Sequence, residues 1–124
     1  MTIDELVFEA HGTAIGKGWW DPYLPKHGIL ADRTRAPDVP PDGLAAKLAL
    51  VHSEVSEALE CVRDRDMYAR TNGAKPEGLP SELADIVIRV ADLCGALGID
   101  LDAAVREKLD YNRTRTHRHG GRAL

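Results

Sequence analysis

The chain has 124 residues, of which 29% are charged and only 5% aromatic, and its formal net charge is −4. That length allows one domain with a modest core, and a deep pocket is more readily completed by a second subunit than built by one chain. The acidic balance argues against a dedicated nucleic-acid or membrane-surface binder, no apolar run reaches transmembrane length, and Met1-Thr2-Ile3-Asp4-Glu5 is acidic where a secretory leader would be basic.

Glycine and proline cluster between helical periodicities, and no alternating stretch is long enough to suggest a sheet, so the sequence predicts a single all-α domain over residues 1–124. A first helix is expected over residues 3–16, with Ile3, Leu6, Val7, Ala10 and Ala14 inward, and with Gly16 and Gly18 as its stop. Residues 18–43 form a long connection that contains Trp19, Trp20 and the Pro37–Pro41 stretch; a loop of this length in a small domain points to function or disorder. Asp42 is the expected N-cap of a second helix running from Leu44 to Arg65. After the breaker signals Asn72-Gly73 and Lys75-Pro76, a third helix begins near Pro80 and stops at Gly98, and Asp100 caps a fourth with Leu101, Ala104, Val105 and Leu109 inward. A basic tail, residues 113–124, closes the chain. Cys61 and Cys94 fall within apolar helical patterns without metal-ligand spacing and read as buried thiols of a reducing compartment. A cytoplasmic setting is expected, in a bacterium or a phage-infected host cell.

The strongest chemical signal is a repeated acidic spacing. Glu54-Val-Ser-Glu57 lies in the second helical segment and Glu82-Leu-Ala-Asp85 in the third, and residues three apart share one helix face. Each pair flanks an apolar stripe on the same side: Leu44, Leu48, Val51, Val55, Leu59 and Val62 in one segment, and Leu83, Ile86, Val87, Val90, Cys94 and Leu97 in the other. One such pair is usually a solvated face. Two pairs in the same relation to core-facing stripes predict a site in which a hard divalent cation, Mg2+ or alternatively Mn2+, neutralises carboxylates that would otherwise repel. Glu54, Glu57, Glu82 and Asp85 are the candidate ligands, with Glu54 and Glu57 also the candidate catalytic carboxylates. A di-iron bundle would need Glu-x-x-His, which is absent, and His52 falls on the far side of its helix; an HD-type site would need a His-Asp dipeptide, also absent.

Lys108, Asn112 and Arg113 at the end of the fourth helix, and Lys47 two turns before Glu54, are candidate phosphate contacts, whereas Arg118 and Arg122 read as solvated tail. Trp19 and Trp20 offer faces on which a base could stack, with packing the alternative for each.

Together these residues resemble the MazG-like, all-α nucleoside triphosphate pyrophosphohydrolases. The resemblance runs through Lys17-Gly-Trp-Trp20, Ser53-Glu-Val-Ser-Glu57-Ala-Leu-Glu60, Glu82-Leu-Ala-Asp85-Ile-Val-Ile-Arg, Leu97-Gly-Ile-Asp-Leu101, Lys108-Leu-Asp-Tyr-Asn-Arg113 and His119-Gly-Gly-Arg122. It implies a four-helix MazG-like bundle completed by oligomerisation, as a homodimer or homotetramer. It also implies magnesium-dependent hydrolysis of a nucleoside triphosphate between the α and β phosphates, giving a monophosphate and pyrophosphate. Many relatives open the first motif with two glutamates where this chain has Ser53-Glu54, which leaves the number of ions and the general base open. No membrane and no stable nucleic-acid complex are expected. Two other readings remain: a catalytically weak nucleotide-binding regulator on the same fold, and an all-α interaction module whose acids are surface charge.

Overall fold

A computed structural model describes residues 1–23 and 39–116. The architecture is all-α with one small hairpin: α1 (Ile3–Gly16), a short 3-10 turn (Asp21–Tyr23), α2 (Pro41–Arg63), β1 (Arg70–Asn72), β2 (Lys75–Glu77), α3 (Leu79–Leu97) and α4 (Leu101–Thr114). Residues 24–38 of the long connection and 117–124 of the tail, including Arg118, Arg122 and His119-Gly-Gly-Arg122, lie outside the described residues. Among the described residues no helix is long and apolar enough to cross a membrane.

The helix ends follow their local chemistry. Thr2 and Glu5 form a reciprocal capping box at the start of α1, satisfying two backbone donors that the helix leaves open. Gly98 ends α3 at φ 66°, a left-handed conformation that costs glycine little, and the Asp100 side chain accepts from Ala103 N at 2.9 Å to start α4. At α2 the expected cap is displaced. Pro40 occupies the N-cap position and Pro41 the first turn, which puts Asp42 inside the helix, because proline's fixed φ suits a position whose N–H has no intrahelical partner.

The connection between α2 and α3 is a hairpin where a plain loop was expected. Arg70 pairs with Glu77, Thr71 with Pro76 and Asn72 with Lys75, around a two-residue loop that Gly73 opens at φ 64°. Arg70 fastens it from both sides, donating to Asp66 Oδ1 and Oδ2 at 3.0 and 2.8 Å and to Glu77. Leu79 N then donates to Asp66 O at 2.9 Å, so the hairpin delivers the chain directly into the first turn of α3.

α3 is the central element, packed by α1 on one side and α2 on another, while α4 rests mainly on α1. The helices approach through small residues: Ala10, Ala14, Ala58, Ala91, Cys94 and Ala96 are buried, and Gly95 lies so close to His11 that an added Cβ would sit 2.6 Å from its Cβ. Trp20 is the one large side chain fully buried among the described residues, packed with Ala14 and Ala96 and flanked by Ile15, Tyr23, Val39 and Leu93. The anticipated core stripes are distributed differently. Leu48, Val55, Leu59 and Val62 of α2, with Leu83 and Val87 of α3, are all about half exposed in the single chain. The inward face of α2 is instead the one bearing Gly43, Glu54 and Ala58, and Gly43 leaves room there for Tyr23 and Val39.

Candidate metal centre and adjoining pocket

The two acidic segments meet where α2 faces the first turns of α3. Glu54, Glu82 and Asp85 each offer a carboxylate oxygen, and these oxygens lie within 4.8 Å of one another. A near-octahedral Mg2+ shell at about 2.1 Å sets ligand oxygens roughly 3.0–4.2 Å apart, so this group needs only small side-chain adjustments to fit such an ion. Glu54 is buried, at 6% exposure, while Glu82 and Asp85 are partly exposed. Glu57 is exposed and lies outside the group of three, one turn along α2 from Glu54.

The carboxylates act on one another's charge. Burial alone would raise the Glu54 pKa, but hydrogen bonds from Arg89 and Glu57, together with the Arg89 charge, take it below its ordinary value. Its hydrogen bond with Glu54, and then the negative charge of Glu54, push the Glu57 carboxyl up. Burial raises Asp85 as well, the Glu54 charge adds to this, and Arg89 and Lys75 partly offset it. Mutual repulsion of this kind is what a bound cation relieves.

Arg89, which sequence reasoning left without a role, is the positive counterpart. Its Nε donates to Glu54 Oε1, and its guanidinium carbon lies 5.8 Å from the centre of the Trp19 ring. Beyond it, a small pocket of about 40 Å3 is lined by Trp19, Trp20, Lys47, Leu50, Arg89, Asp92 and Leu93. That volume is far below what encloses a nucleotide-sized ligand. Asp85, Arg89 and Asp92 recur at i, i+4 and i+7 along one face of α3, and Lys47, Leu50 and Glu54 recur similarly along α2. The Glu54–Glu82–Asp85 group therefore occupies one end of the α2–α3 groove and Asp92 with Trp20 the other, about 10 Å along it at 1.5 Å rise per residue, with Arg89 and Trp19 between.

The tryptophans differ in their surroundings. Trp20 is fully buried; its Nε1 donates to Asp92 Oδ1 at 2.8 Å, and His11 Nδ1 lies 2.8 Å from the same oxygen. His11 and Tyr23 pack edge-on to its ring at centroid distances of 5.7 and 6.1 Å. Lys47 Nζ sits 4.2 Å from the Trp20 ring centre and donates to Trp19 O at 2.8 Å. Burial lowers the Lys47 pKa, opposed by the charge of Asp92 and assisted by that of Arg89. Trp19 is 53% exposed and presents a ring to solvent at the pocket mouth.

Lys108, Asn112 and Arg113 sit near the end of α4, whose main packing partner is α1. Lys108 lies over the Tyr111 ring at 5.2 Å, and Arg113 pairs with Asp110. Among the described residues no hydrogen bond or ion pair joins these three side chains to the acidic group. His11 and Asp92 also escaped the sequence reading. The i, i+4, i+7 recurrence from Asp85 was a legible signal for Arg89 and Asp92, whereas His11 is brought in only by the packing of α1 on α3.

Comparison with known proteins adds one relative. Over 80 residues the chain is 35% identical to a protein of Cyanophage S-2L described as a dATP/dGTP diphosphohydrolase, and the match covers 64% of this chain and 61% of that relative. The chain thus matches less than two thirds of the relative's length. No family model matches the sequence, and no solved structure matches it.

Proposed function

We propose that the protein is a MazG-like, magnesium-dependent nucleoside triphosphate pyrophosphohydrolase, acting on a canonical or modified deoxynucleoside triphosphate. The observation that carries this reading is the convergence of Glu54, Glu82 and Asp85 from two helices into one group of carboxylate oxygens of a size that suits Mg2+. The similarity to a dATP/dGTP diphosphohydrolase supports the substrate class and puts purine deoxynucleotides first among candidates.

Glu54, Glu82 and Asp85 would hold the ion, with Glu57 reaching in from the next turn of α2. A bound divalent ion supplies polarisation of phosphate oxygens and a more acidic attacking water. Glu54 orients that water. Glu57, one turn further along α2, is the carboxylate assigned to take its proton. Attack on the α-phosphorus forms a new P–O bond and breaks the bond to the α–β bridging oxygen, whose electron pair leaves with pyrophosphate. This reading assigns the base to Trp19, with Trp20 and Lys47 in the pocket beneath it.

The small pocket and the half-exposed apolar residues of α2 and α3 fit a homodimer or homotetramer. A second copy would cover Leu48, Val55, Leu59, Val62, Leu83 and Val87 and deepen the pocket. Lys108, Asn112 and Arg113 are then assigned to the departing phosphates, as charged donors whose contacts strengthen while pyrophosphate leaves. The test is product identification across a panel of common and noncanonical triphosphates with Mg2+. A monophosphate with pyrophosphate is expected from at least one substrate, and a diphosphate with orthophosphate, or no product from any, refutes the reading.

A further inference from the structure

Arg89 belongs to both ends of the groove. It donates to Glu54 Oε1, lies over the Trp19 ring, and lines the pocket with Lys47 and Asp92. Glu54 is at once the most buried of the candidate metal ligands and the acceptor of this guanidinium. A carboxylate held out of water beside two others requires a positive partner, and Arg89 provides it. A divalent cation arriving at Glu54 meets that charge at close range, where repulsion is strong because water is scarce. The Arg89 side chain is 30% exposed, which leaves it room to move, and it already lies over the Trp19 ring at 5.8 Å, so that contact can hold the guanidinium when its bond to Glu54 is broken.

We infer that Arg89 is an internal counter-cation: it holds Glu54 in place in the ion-free protein, competes with the divalent cation for that carboxylate, and gives up Glu54 for a closer contact with Trp19 when the ion binds. This makes it a positioning residue acting through Glu54, and the inference rests on the metal reading above. The occupied site then keeps a positive group between the ion and the pocket, where a bound nucleotide's phosphate would lie.

Calorimetric titration with Mn2+ of the native protein, Arg89→Gln and Arg89→Lys tests the competition, after circular dichroism has established that each variant is folded. Arg89→Gln should bind Mn2+ about tenfold more tightly than the native protein, because the ion no longer displaces a charge-assisted hydrogen bond. Arg89→Lys should fall between them. Equal or weaker binding by Arg89→Gln overturns the inference. A second measurement needs no change at Arg89: Mg2+ titrated into the native protein should alter tryptophan emission, and Trp19→Phe should abolish the change. Unchanged native emission at Mg2+ concentrations where calorimetry shows binding overturns the inference even if Arg89→Gln does not fold. A native protein that binds neither ion removes the metal reading itself, and this inference with it.

Discussion

Replacing Asp92 by leucine keeps the branched shape at Cγ, with larger methyl groups in place of the oxygens, and removes a buried acceptor; the polar part of its cost follows from the two donors that share Asp92 Oδ1. Trp20 Nε1 belongs to a residue with no solvent exposure, so its lost partner is not replaced by water and costs about 1–3 kcal/mol. The His11 side chain is 18% exposed and recovers part of its bond from solvent, adding about 1 kcal/mol. A total of about 2–4 kcal/mol is a large share of the 5–15 kcal/mol typical of a domain, and it corresponds to a melting temperature lower by roughly 10 °C. Thermal unfolding followed by circular dichroism at one fixed protein concentration measures it, since the proposed assembly would make the midpoint concentration-dependent. Trp20→Phe and the double variant complete a cycle whose coupling energy should be about 1 kcal/mol or more. An Asp92→Leu protein within about 0.5 kcal/mol of native, or a coupling near zero, would refute the view that this carboxylate anchors Trp20 and hence the pocket wall.

Three further outcomes are expected. Light scattering at micromolar concentration should give the mass of a dimer or tetramer, and Leu59→Glu with Val87→Glu should shift it toward the monomer; a monomeric native protein contradicts the assignment of the exposed apolar face. Lys108→Ala and Arg113→Ala should lower turnover about tenfold or more, by similar factors on two nucleotides differing only in base; an effect from Arg113→Ala that depends on the base, or none from either, shows that the end of α4 is not a phosphate clamp. The raised pKa values of Glu57 and Asp85 mean that these groups favour the ion-free fold below the ordinary carboxylate range and withdraw that contribution as pH rises through their raised values, while the lowered Glu54 does the reverse and loses its contribution as pH falls. Cation binding by Glu54, Glu82 and Asp85 needs these carboxylates ionised, so Mn2+ affinity should climb with pH as the raised Asp85 gives up its proton and then level off; calorimetry in buffers of different ionisation enthalpy measures both affinity and proton release, and a pH-independent affinity contradicts the proposed ligands.

The helical plan was legible because its signals are local. Pro80, Gly98 and Asp100 mark the ends of α3 and α4 by backbone chemistry that needs no tertiary context. The hairpin was not, since its strands are three residues long, almost wholly exposed and interrupted by Pro76, leaving no apolar alternation to read. The acidic spacing brought forward Glu54, Glu82 and Asp85, because a three-residue interval fixes a helix face. Which face turns inward was harder: Leu48, Val55, Leu59 and Val62 form a genuine stripe, but periodicity does not distinguish a face packed within one chain from a face left for another. Arg89 and Asp92 follow Asp85 at helical spacing, yet their importance depends on Glu54, Trp20 and His11 arriving from other elements.

If the acidic group joining α2 and α3 performs the hydrolysis, 31P NMR of a purine deoxynucleoside triphosphate incubated with Mg2+ should separate native from Asp85→Asn protein. The native protein should yield monophosphate and pyrophosphate as its only phosphorus products, while Asp85→Asn, with native-like circular dichroism, should be slower by at least about a hundredfold. Near-native turnover by a folded Asp85→Asn protein, or release of orthophosphate in place of pyrophosphate by the native one, would contradict the account.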